Sequence, residues 1–159
     1  ATALQAALDA VNDVRGGGAG GAGAGWHKAL LIRTAPNGPE KLTRHYSGRN
    51  PAYFTCEAMA WVRQLGVTHL LVDLPSVDRE EDEGLLEAHH IFWGVPLGAR
   101  RCEDADARRR TITEMFYAPP TLRDGRGVVS LQIPAFMLDA APSRPAFYPV
   151  LGERTADDR

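Results

Sequence analysis

The sequence predicts an α/β fold, because short apolar segments typical of strands alternate with a segment of helical periodicity. KALLIRT at 28–34 is an apolar run that ends in polar residues, and VTHLLVD at 67–73 is another. Both are typical of buried strands. Between them, apolar residues recur at helical spacing over 54–65. We therefore expect a strand, a helix and a second strand in that order.

The chain begins with a segment that predicts an amphipathic helix over residues 1–15, since Leu4, Leu8, Val11 and Val14 share one face. Residues 16–25 contain only glycine and alanine. Such a segment loses much backbone entropy on ordering, so we expect a flexible loop. Its glycine spacing matches a dinucleotide-binding fingerprint only weakly. That fingerprint lies between a strand and a helix, whereas this segment lies between a predicted helix and a predicted strand.

Two further helix boundaries are marked by capping residues. Asn50 followed by Pro51 predicts the start of the helix that lies between the two strands, and Gly66 predicts its end. Asp78 and Glu81 have the spacing of a capping box. They predict a second helix that runs from residue 78 to residue 93.

The last third of the chain predicts a charged segment and three strands. Residues 100–110 carry both signs of charge without an apolar period, which is typical of a solvated excursion. We expect strands over 111–117, 127–133 and 146–151. Prolines within and before the last segment favour an edge position for that strand.

Composition excludes several classes of protein. The 159 residues suit one domain, and 18 basic against 20 acidic residues give a net charge of −2, which offers no footprint for nucleic acid or an anionic membrane. No apolar stretch reaches the roughly 20 residues of a spanning helix. Cys56 and Cys102 lack the spacing of a disulfide scaffold or a zinc ribbon. We expect a cytoplasmic protein.

A pair of adjacent histidines is the first candidate for chemistry. In the predicted helix, His89 lies four residues after Leu85 and four before Trp93, so its ring points at the core. His90 diverges from it by about 100°, so one of the two serves a given metal ion. The alternative is a core histidine satisfied by backbone carbonyl groups.

Acidic and hydroxyl side chains provide the other candidates. On the predicted strand 111–117, Glu114 stands between two large apolar residues, where an unpaired carboxylate is costly unless it binds a metal. The alternative is a strand with one solvent-exposed face, on which the Glu114 carboxylate would be exposed. Asp73 and Ser76 lie at the carboxyl end of a strand, where α/β folds place ligands. The alternative there is a polar turn that ends in the cap Asp78.

The order of short motifs along the chain resembles the cyclase family of metal-dependent hydrolases, which includes kynurenine formamidase (arylformamidase) and isatin hydrolase. These motifs are LLIRT, THLLVDLPSVD, EAHH, TITEM and LQIPAFMLDAAPSRP. The likeness extends over about 29–148 and is to the C-terminal half of such enzymes. It implies a mixed β-barrel-like sheet with flanking helices, a single cyclase-like domain over 1–159 that is part of a longer family domain, and a homodimer or larger oligomer.

The resemblance also implies a metal site and a reaction. His89 and Glu114 match family ligands of zinc or manganese, and the residues around them that the likeness places at the site are Asp73, Ser76, His90 and Trp93. Family members cleave a C–N bond in an aryl formamide, lactam or cyclic amide through a metal-activated water. The expected partner is a small amide substrate. Trp61, Phe92 and Trp93 are either walls of an aromatic pocket or plain core.

The chain departs from the family in one respect that bears on activity. The principal metal motif, His-x-x-x-His-x-Asp with a further catalytic histidine, has no counterpart, because His27, His45 and His69 do not have that spacing. The segment between His89 and Glu114 is also longer than is typical of kynurenine formamidases. A second interpretation is therefore a catalytically inactive member that serves as a binding or oligomerisation module.

Overall fold

The computed structural model of the protein describes most of the chain, namely residues 28–96, 98–99 and 101–150 together with positions 4 and 6. Leu4 and Ala6 are helical. The rest of the helix predicted over 1–15, the glycine-rich segment 16–25 and position 151 of the last predicted strand lie outside the described residues.

Three parallel strands form the larger sheet, in the order β1-β2-β3. Their bounds are β1 Ala29–Ile32, β2 His69–Val72 and β3 Thr111–Thr113. The central strand β2 is apolar after His69, and Leu70, Leu71 and Val72 are fully buried. A parallel strand covered on both faces requires such a run. The fold is therefore of the α/β class, as predicted.

Two helices connect these strands and pack against each other. Helix α1, Cys56–Gln64, precedes β2, and helix α2, Glu87–Trp93, follows it. Together with β2 and the segment after it they enclose the core, whose buried members are Met59, Val62, Val67, Leu70, Val72, Leu74, Val77, Ala88 and Phe92. Short 3-10 helices occupy Pro39–Leu42 and Cys102–Asp104.

Helix α1 begins later than the sequence predicts. Its N-cap is Thr55, whose hydroxyl accepts a hydrogen bond from the backbone N–H of Ala58 at 3.2 Å. Asn50, the predicted cap, lies five residues upstream with φ 45°. Asparagine tolerates this left-handed conformation, so its sequence signal marks a turn instead. The predicted end near Gly66, at φ 77°, is confirmed.

Helix α2 does not begin at Asp78, so the predicted capping box is wrong. Glu83, Gly84 and Leu86 all have positive φ, and these left-handed residues form a turn instead of a helix before Glu87. Leu85 is consequently outside the helix and 48% exposed. The predicted apolar face that joins Leu85, His89 and Trp93 therefore does not exist.

Strand β3 is also shorter than predicted, because it ends at Thr113. Glu114 follows directly, and Met115 has φ 58° and an exposed side chain. The backbone still runs beside the segment after β2, since the N–H groups of Met115 and Phe116 donate to the carbonyls of Leu74 and Val72. Glu114 thus stands past the end of the strand, and the predicted strand face between two apolar residues is wrong.

The smaller sheet is an antiparallel pair. Strands β4, Gly127–Ser130, and β5, Ala146–Pro149, pair only with each other among the described residues. Gly127 is required there, because a Cβ would overlap the ring of Phe147 and the carbonyl oxygen of Tyr148. The described strands form two small sheets and do not close into a barrel.

The charged segment 100–110 is mostly exposed where it is described, as predicted, but it is tied to the helices. Asp106 forms an ion pair with Arg63 of α1, and Arg110 donates to the carbonyl oxygen of Phe92 at 3.1 Å. Among the described residues, no helix has the length and apolar composition that crossing a bilayer requires.

Candidate metal centre

Three side chains form a line of contacts at one edge of the larger sheet. His89 Nδ1 lies 2.5 Å from Asp78 Oδ2, and His89 Nε2 lies 3.5 Å from Glu114 Oε1. The sequence had selected His89 and Glu114 separately, and the structure brings them together. The ring of His89 therefore stands between two carboxylates.

The topology of the sheet explains this meeting. Asp78 lies in the segment that leaves β2, Glu114 follows β3, and these strands are parallel neighbours, so their carboxyl ends share an edge. The backbone N–H of Val77 donates to Glu114 Oε1 at 2.9 Å, which fixes the carboxylate beside that segment. His89 reaches the same edge from the first turn of α2.

Asp78 is held by the backbone of α2 as well as by the histidine ring. Its Oδ1 accepts from the N–H of Ala88 at 2.6 Å and its Oδ2 from the N–H of His89 at 3.2 Å. Burial raises the pKa of Asp78, but the hydrogen bonds from the His89 ring and from these two N–H groups outweigh it and hold the pKa below its ordinary value. The carboxylate is the favoured form.

Solvent reaches the outer part of this site. The side chain of Asp78 is 6% exposed, that of His89 15% and that of Glu114 27%. The more accessible end is thus the one where Nε2 faces Glu114.

The ring of Trp93 packs beside His89, with ring centroids 5.2 Å apart and planes tilted by 47°. Its Nε1 donates to the carbonyl oxygen of Arg110 at 3.0 Å. Trp93 therefore borders the histidine, and it also packs against the hydrophobic core. Phe92 is fully buried in the core, and Trp61 is partly buried against it, so the alternative interpretation of these two as core is confirmed.

Asp73 belongs to a different cluster. Its carboxylate pairs with Lys41 Nζ at 2.6 Å and accepts from the backbone N–H and the hydroxyl of Thr34. These bonds use both oxygens of the Asp73 carboxylate and tie the end of β1 to the end of β2. Asp73 makes no contact with His89 or Glu114. Ser76 accepts from the N–H of Asp78 at 3.1 Å and orders the turn before it.

His90 points elsewhere than His89. Its Nδ1 is buried and has no hydrogen-bond partner. Successive helical residues diverge by about 100°, and the structure turns His89, not His90, towards Glu114.

Cys56 does not resemble a nucleophile. It is a free thiol at the start of α1, and its Sγ lies 3.5 Å from Glu87 Oε2. Desolvation, followed by the hydrogen bond and charge of Glu87, raises the pKa of the thiol. A reactive cysteine needs the opposite shift.

The residues at this edge fit part of a metal site. Imidazole nitrogen and carboxylate oxygen are ligands of zinc and manganese, and His89 with Glu114 presents one of each. Among the described residues, no group of three or more His, Cys, Asp or Glu side chains is arranged so that all could hold one metal ion. The sequence did not indicate that Asp78 supports His89. The Asp78 carboxylate accepts from backbone N–H groups ten and eleven residues later, and no local sequence pattern marks such a contact.

A scan against protein-family models finds no match for this chain, and neither does a search of the curated proteins. The likeness to the cyclase family therefore rests on the motifs in the sequence. The contact between His89 Nε2 and Glu114 Oε1 is observed in the structure and does not depend on that likeness.

Proposed function

We propose that the chain is the part of a cyclase-family, metal-dependent hydrolase that contributes His89 and Glu114 to a zinc or manganese site. The reaction is hydrolysis of a C–N bond in a small amide, such as an aryl formamide, a lactam or a cyclic amide. One observation carries the proposal: His89 Nε2 faces Glu114 Oε1 at 3.5 Å while Asp78 holds the other ring nitrogen.

The distance between the two ligand atoms supports this role. Two ligands at roughly 2.0–2.2 Å from a tetrahedral ion lie roughly 3.3–3.6 Å apart. The observed 3.5 Å falls in that range. Metal-binding histidines commonly donate their second ring nitrogen to a carboxylate, which is the contact that Asp78 makes here.

The roles of the chain's residues follow from this arrangement. His89 and Glu114 hold the ion, and Trp93 borders the site where an aromatic substrate would lie. When bound, the ion supplies Lewis-acid chemistry, which activates water and polarises the scissile carbonyl. The family's His-x-x-x-His-x-Asp motif would supply further ligands and the proton-handling histidine, and the 159 residues do not contain that motif.

The proposal extends to the fold and setting. We propose that β1 to β3 and the β4–β5 pair are pieces of the family's mixed, barrel-like sheet. We also place the protein in the cytoplasm, since the two cysteines lack the spacing of a disulfide framework and Cys56 is a free thiol.

Metal content tests the proposal directly. The purified chain is dialysed and analysed for zinc and manganese, beside His89→Ala and Glu114→Gln variants. We expect about one equivalent in the wild type and a loss in both variants, since each removes one ligand. His69→Ala is the matched control, because His69 lies at the opposite end of β2 and pairs with Thr111. No metal in the wild type, or equal metal in all four proteins, would refute the site.

A second candidate function is the catalytically inactive binding or oligomerisation module. The segment after β4 favours it, since Phe136 is 55%, Met137 100% and Leu138 74% exposed. Contiguous exposed apolar side chains are typical of interaction surfaces. A chain that binds no metal but self-associates through this segment supports the module. A chain that binds metal and, with the missing motif supplied, hydrolyses aryl formamides supports the enzyme.

A further inference from the structure

A groove of about 800 Å³ runs along the edge of β1 and not over a face of the larger sheet. Every residue over 28–33 lines it, so side chains from both faces of β1 border it, whereas residues 70–72 of the neighbouring strand β2 do not. On the opposite side it is lined by residues 127–129, which are successive positions of β4. The groove therefore lies between two strand edges.

The backbone of β4 presents hydrogen-bonding groups to this groove. The N–H of Val150 donates to the carbonyl oxygen of Arg126, and the pair of Val128 with Tyr148 lies two positions further along the same ladder. Hydrogen-bonded pairs alternate with non-hydrogen-bonded pairs in an antiparallel ladder, so Val129 turns its N–H and C=O away from β5. These backbone groups therefore face the groove that Val129 lines.

The backbone of β1 faces the groove in the same way. The N–H of His69 donates to the carbonyl oxygen of Lys28 at 2.8 Å, so that carbonyl points towards β2. Successive residues of a strand alternate in this respect, so Ala29 and Leu31 turn their N–H and C=O away from β2. Among the described residues, no backbone hydrogen bond links Ala29, Leu31 or Val129 to a segment outside the two sheets.

The lining of the groove indicates the chemistry of an occupant. An extended polypeptide satisfies backbone N–H and C=O groups on both edges at once, as in β-augmentation. Phe116, Leu122 and Phe147 contribute to mainly apolar walls. The charged side chains along the groove are those of Lys28, Arg33, Arg123, Asp124 and Arg126. Most of them are basic, although the chain as a whole has a net charge of −2, so acidic residues complement the groove.

We propose that the groove between β1 and β4 binds an extended segment of another protein, which inserts as an additional strand and carries apolar side chains flanked by acidic residues. Backbone hydrogen bonds to both edges then join the two sheets. The groove is separate from the candidate metal centre, since Asp78, His89 and Glu114 do not line it. The inference therefore does not depend on whether the chain binds a metal.

A synthetic peptide tests the inference on the whole chain. The probe is Glu-Val-Thr-Val-Thr-Val-Glu, blocked at both ends and labelled with a fluorophore for anisotropy. We expect saturable binding and, in NMR spectra, slower hydrogen exchange at the backbone amides of Ala29, Leu31 and Val129. Absence of binding, or binding that leaves these amides unprotected, would overturn the inference.

Two altered peptides separate backbone pairing from apolar burial and from charge. N-methylation of the valines keeps every side chain but removes the backbone donors along one edge, so we expect binding weaker by about tenfold or more. Equal affinity would overturn pairing through the backbone. Lysine in place of both glutamates is expected to weaken binding most at low salt. Equal affinity for that peptide would overturn the acidic composition.

Val129→Pro tests the same contact from the side of the chain. The N–H of Val129 does not serve the ladder with β5, so proline suits this position as Pro149 suits its own in the same ladder. We expect a folded chain by circular dichroism and peptide binding weaker by about tenfold or more. Val129→Ala is the matched control, because it keeps the N–H, and we expect it to bind nearly as the wild type does. Equal affinity in the two variants would overturn the inference, and the N-methylated peptide decides the question without any substitution.

A second copy of this chain is the competing occupant. Exchange of the same three amides is therefore measured at rising concentrations of the chain without peptide. We expect no added protection. Protection that grows with concentration would show that another copy fills the groove and would overturn the assignment to a different protein.

Discussion

Lys41 and Asp73 form an ion pair whose side chains are only 6% and 1% exposed, so each depends on the other for its solvation. All three donors of the Lys41 ammonium are used, because it also contacts the carbonyl and hydroxyl oxygens of Thr34. Lys41→Met leaves the buried Asp73 carboxylate without its counter-charge. We expect a loss of about 3–5 kcal/mol in the free energy of unfolding, measured by urea denaturation.

The exposed pair of Arg44 and Glu40 provides the comparison, with side chains 39% and 53% exposed. Arg44→Met removes one member of an exposed ion pair between residues four positions apart. We expect a change of less than about 0.5 kcal/mol. Equal losses in the Lys41 and Arg44 variants would contradict a special role for the buried pair.

Glu80 gives a pH dependence at the scale of one residue. Its carboxylate accepts from the backbone N–H groups of Gly48 at 2.5 Å and Asn50 at 2.8 Å, and these bonds lower its pKa. The group is therefore deprotonated more readily in the folded chain than in the unfolded one. Its contribution to stability is present above the unfolded pKa of roughly 4.3 and is lost as the pH falls through the lower folded pKa.

We therefore expect the melting temperature of Glu80→Gln to lie below that of the wild type near neutral pH, and the gap to close below about pH 4. Thermal melts followed by circular dichroism measure it. Glu81→Gln removes the same charge from the next position and controls for net charge. A gap that stays constant down to about pH 3 would show that the carboxylate charge is not the cause.

At the scale of secondary structure, the start of α1 depends on Thr55. Its hydroxyl satisfies the N–H of Ala58, one of the first N–H groups of a helix, which lack partners within the helix. We expect Thr55→Ala to lower the free energy of unfolding by about 1 kcal/mol in urea denaturation. Thr55→Ser keeps the oxygen and is expected to retain most of the stability. Equal losses in both variants would exclude capping as the cause.

Local sequence patterns predict some helix and strand boundaries and not others. The strands β1 and β2 and the end of α1 are predictable because apolar runs and a glycine stop are local signals. The starts of α1 and α2 are not, since Asn50 signals a turn and Asp78 caps a helix that begins nine residues later. The sequence pattern predicts one unbroken helix from residue 78, but residues with left-handed backbone conformation between 83 and 86 prevent a helix there.

The candidate site was predictable in its members but not in its geometry. His89 and Glu114 were selected because polar groups among apolar neighbours require partners. The faces predicted for them are wrong, because Leu85 is outside α2 and β3 ends at Thr113. Their meeting depends on the parallel pairing of β2 with β3, which joins residues about forty positions apart and leaves no local trace in the sequence.

At the scale of the whole molecule, the strands divide into two sheets with a groove of about 800 Å³ beside β1 and the β4–β5 pair. The sequence predicts five strands here but not this division, since pairing is decided by contacts distant in sequence. One consequence is that β1 has a partner strand on one side only among the described residues. Such edges are prone to pair with other chains.

The apolar segment after β4 leads to a prediction about association. Ile133, Phe136, Met137 and Leu138 are each at least 49% exposed, and Val128 of β4 and Tyr148 of β5 add to the apolar surface. Removing such surface from water stabilises contact between copies by about 25 cal/mol per Å² before the costs of association. We therefore expect a sedimentation coefficient that rises with protein concentration.

Leu138→Lys introduces a charge that has to be desolvated in any contact through this segment, so we expect weaker association in sedimentation velocity. Leu42→Lys is the matched control, because Leu42 is 65% exposed on the short 3-10 helix after β1 and belongs to no such segment. It is expected to associate as the wild type does. A wild-type chain that sediments as a monomer at every concentration would contradict the prediction, and equal weakening by both variants would locate the contact elsewhere.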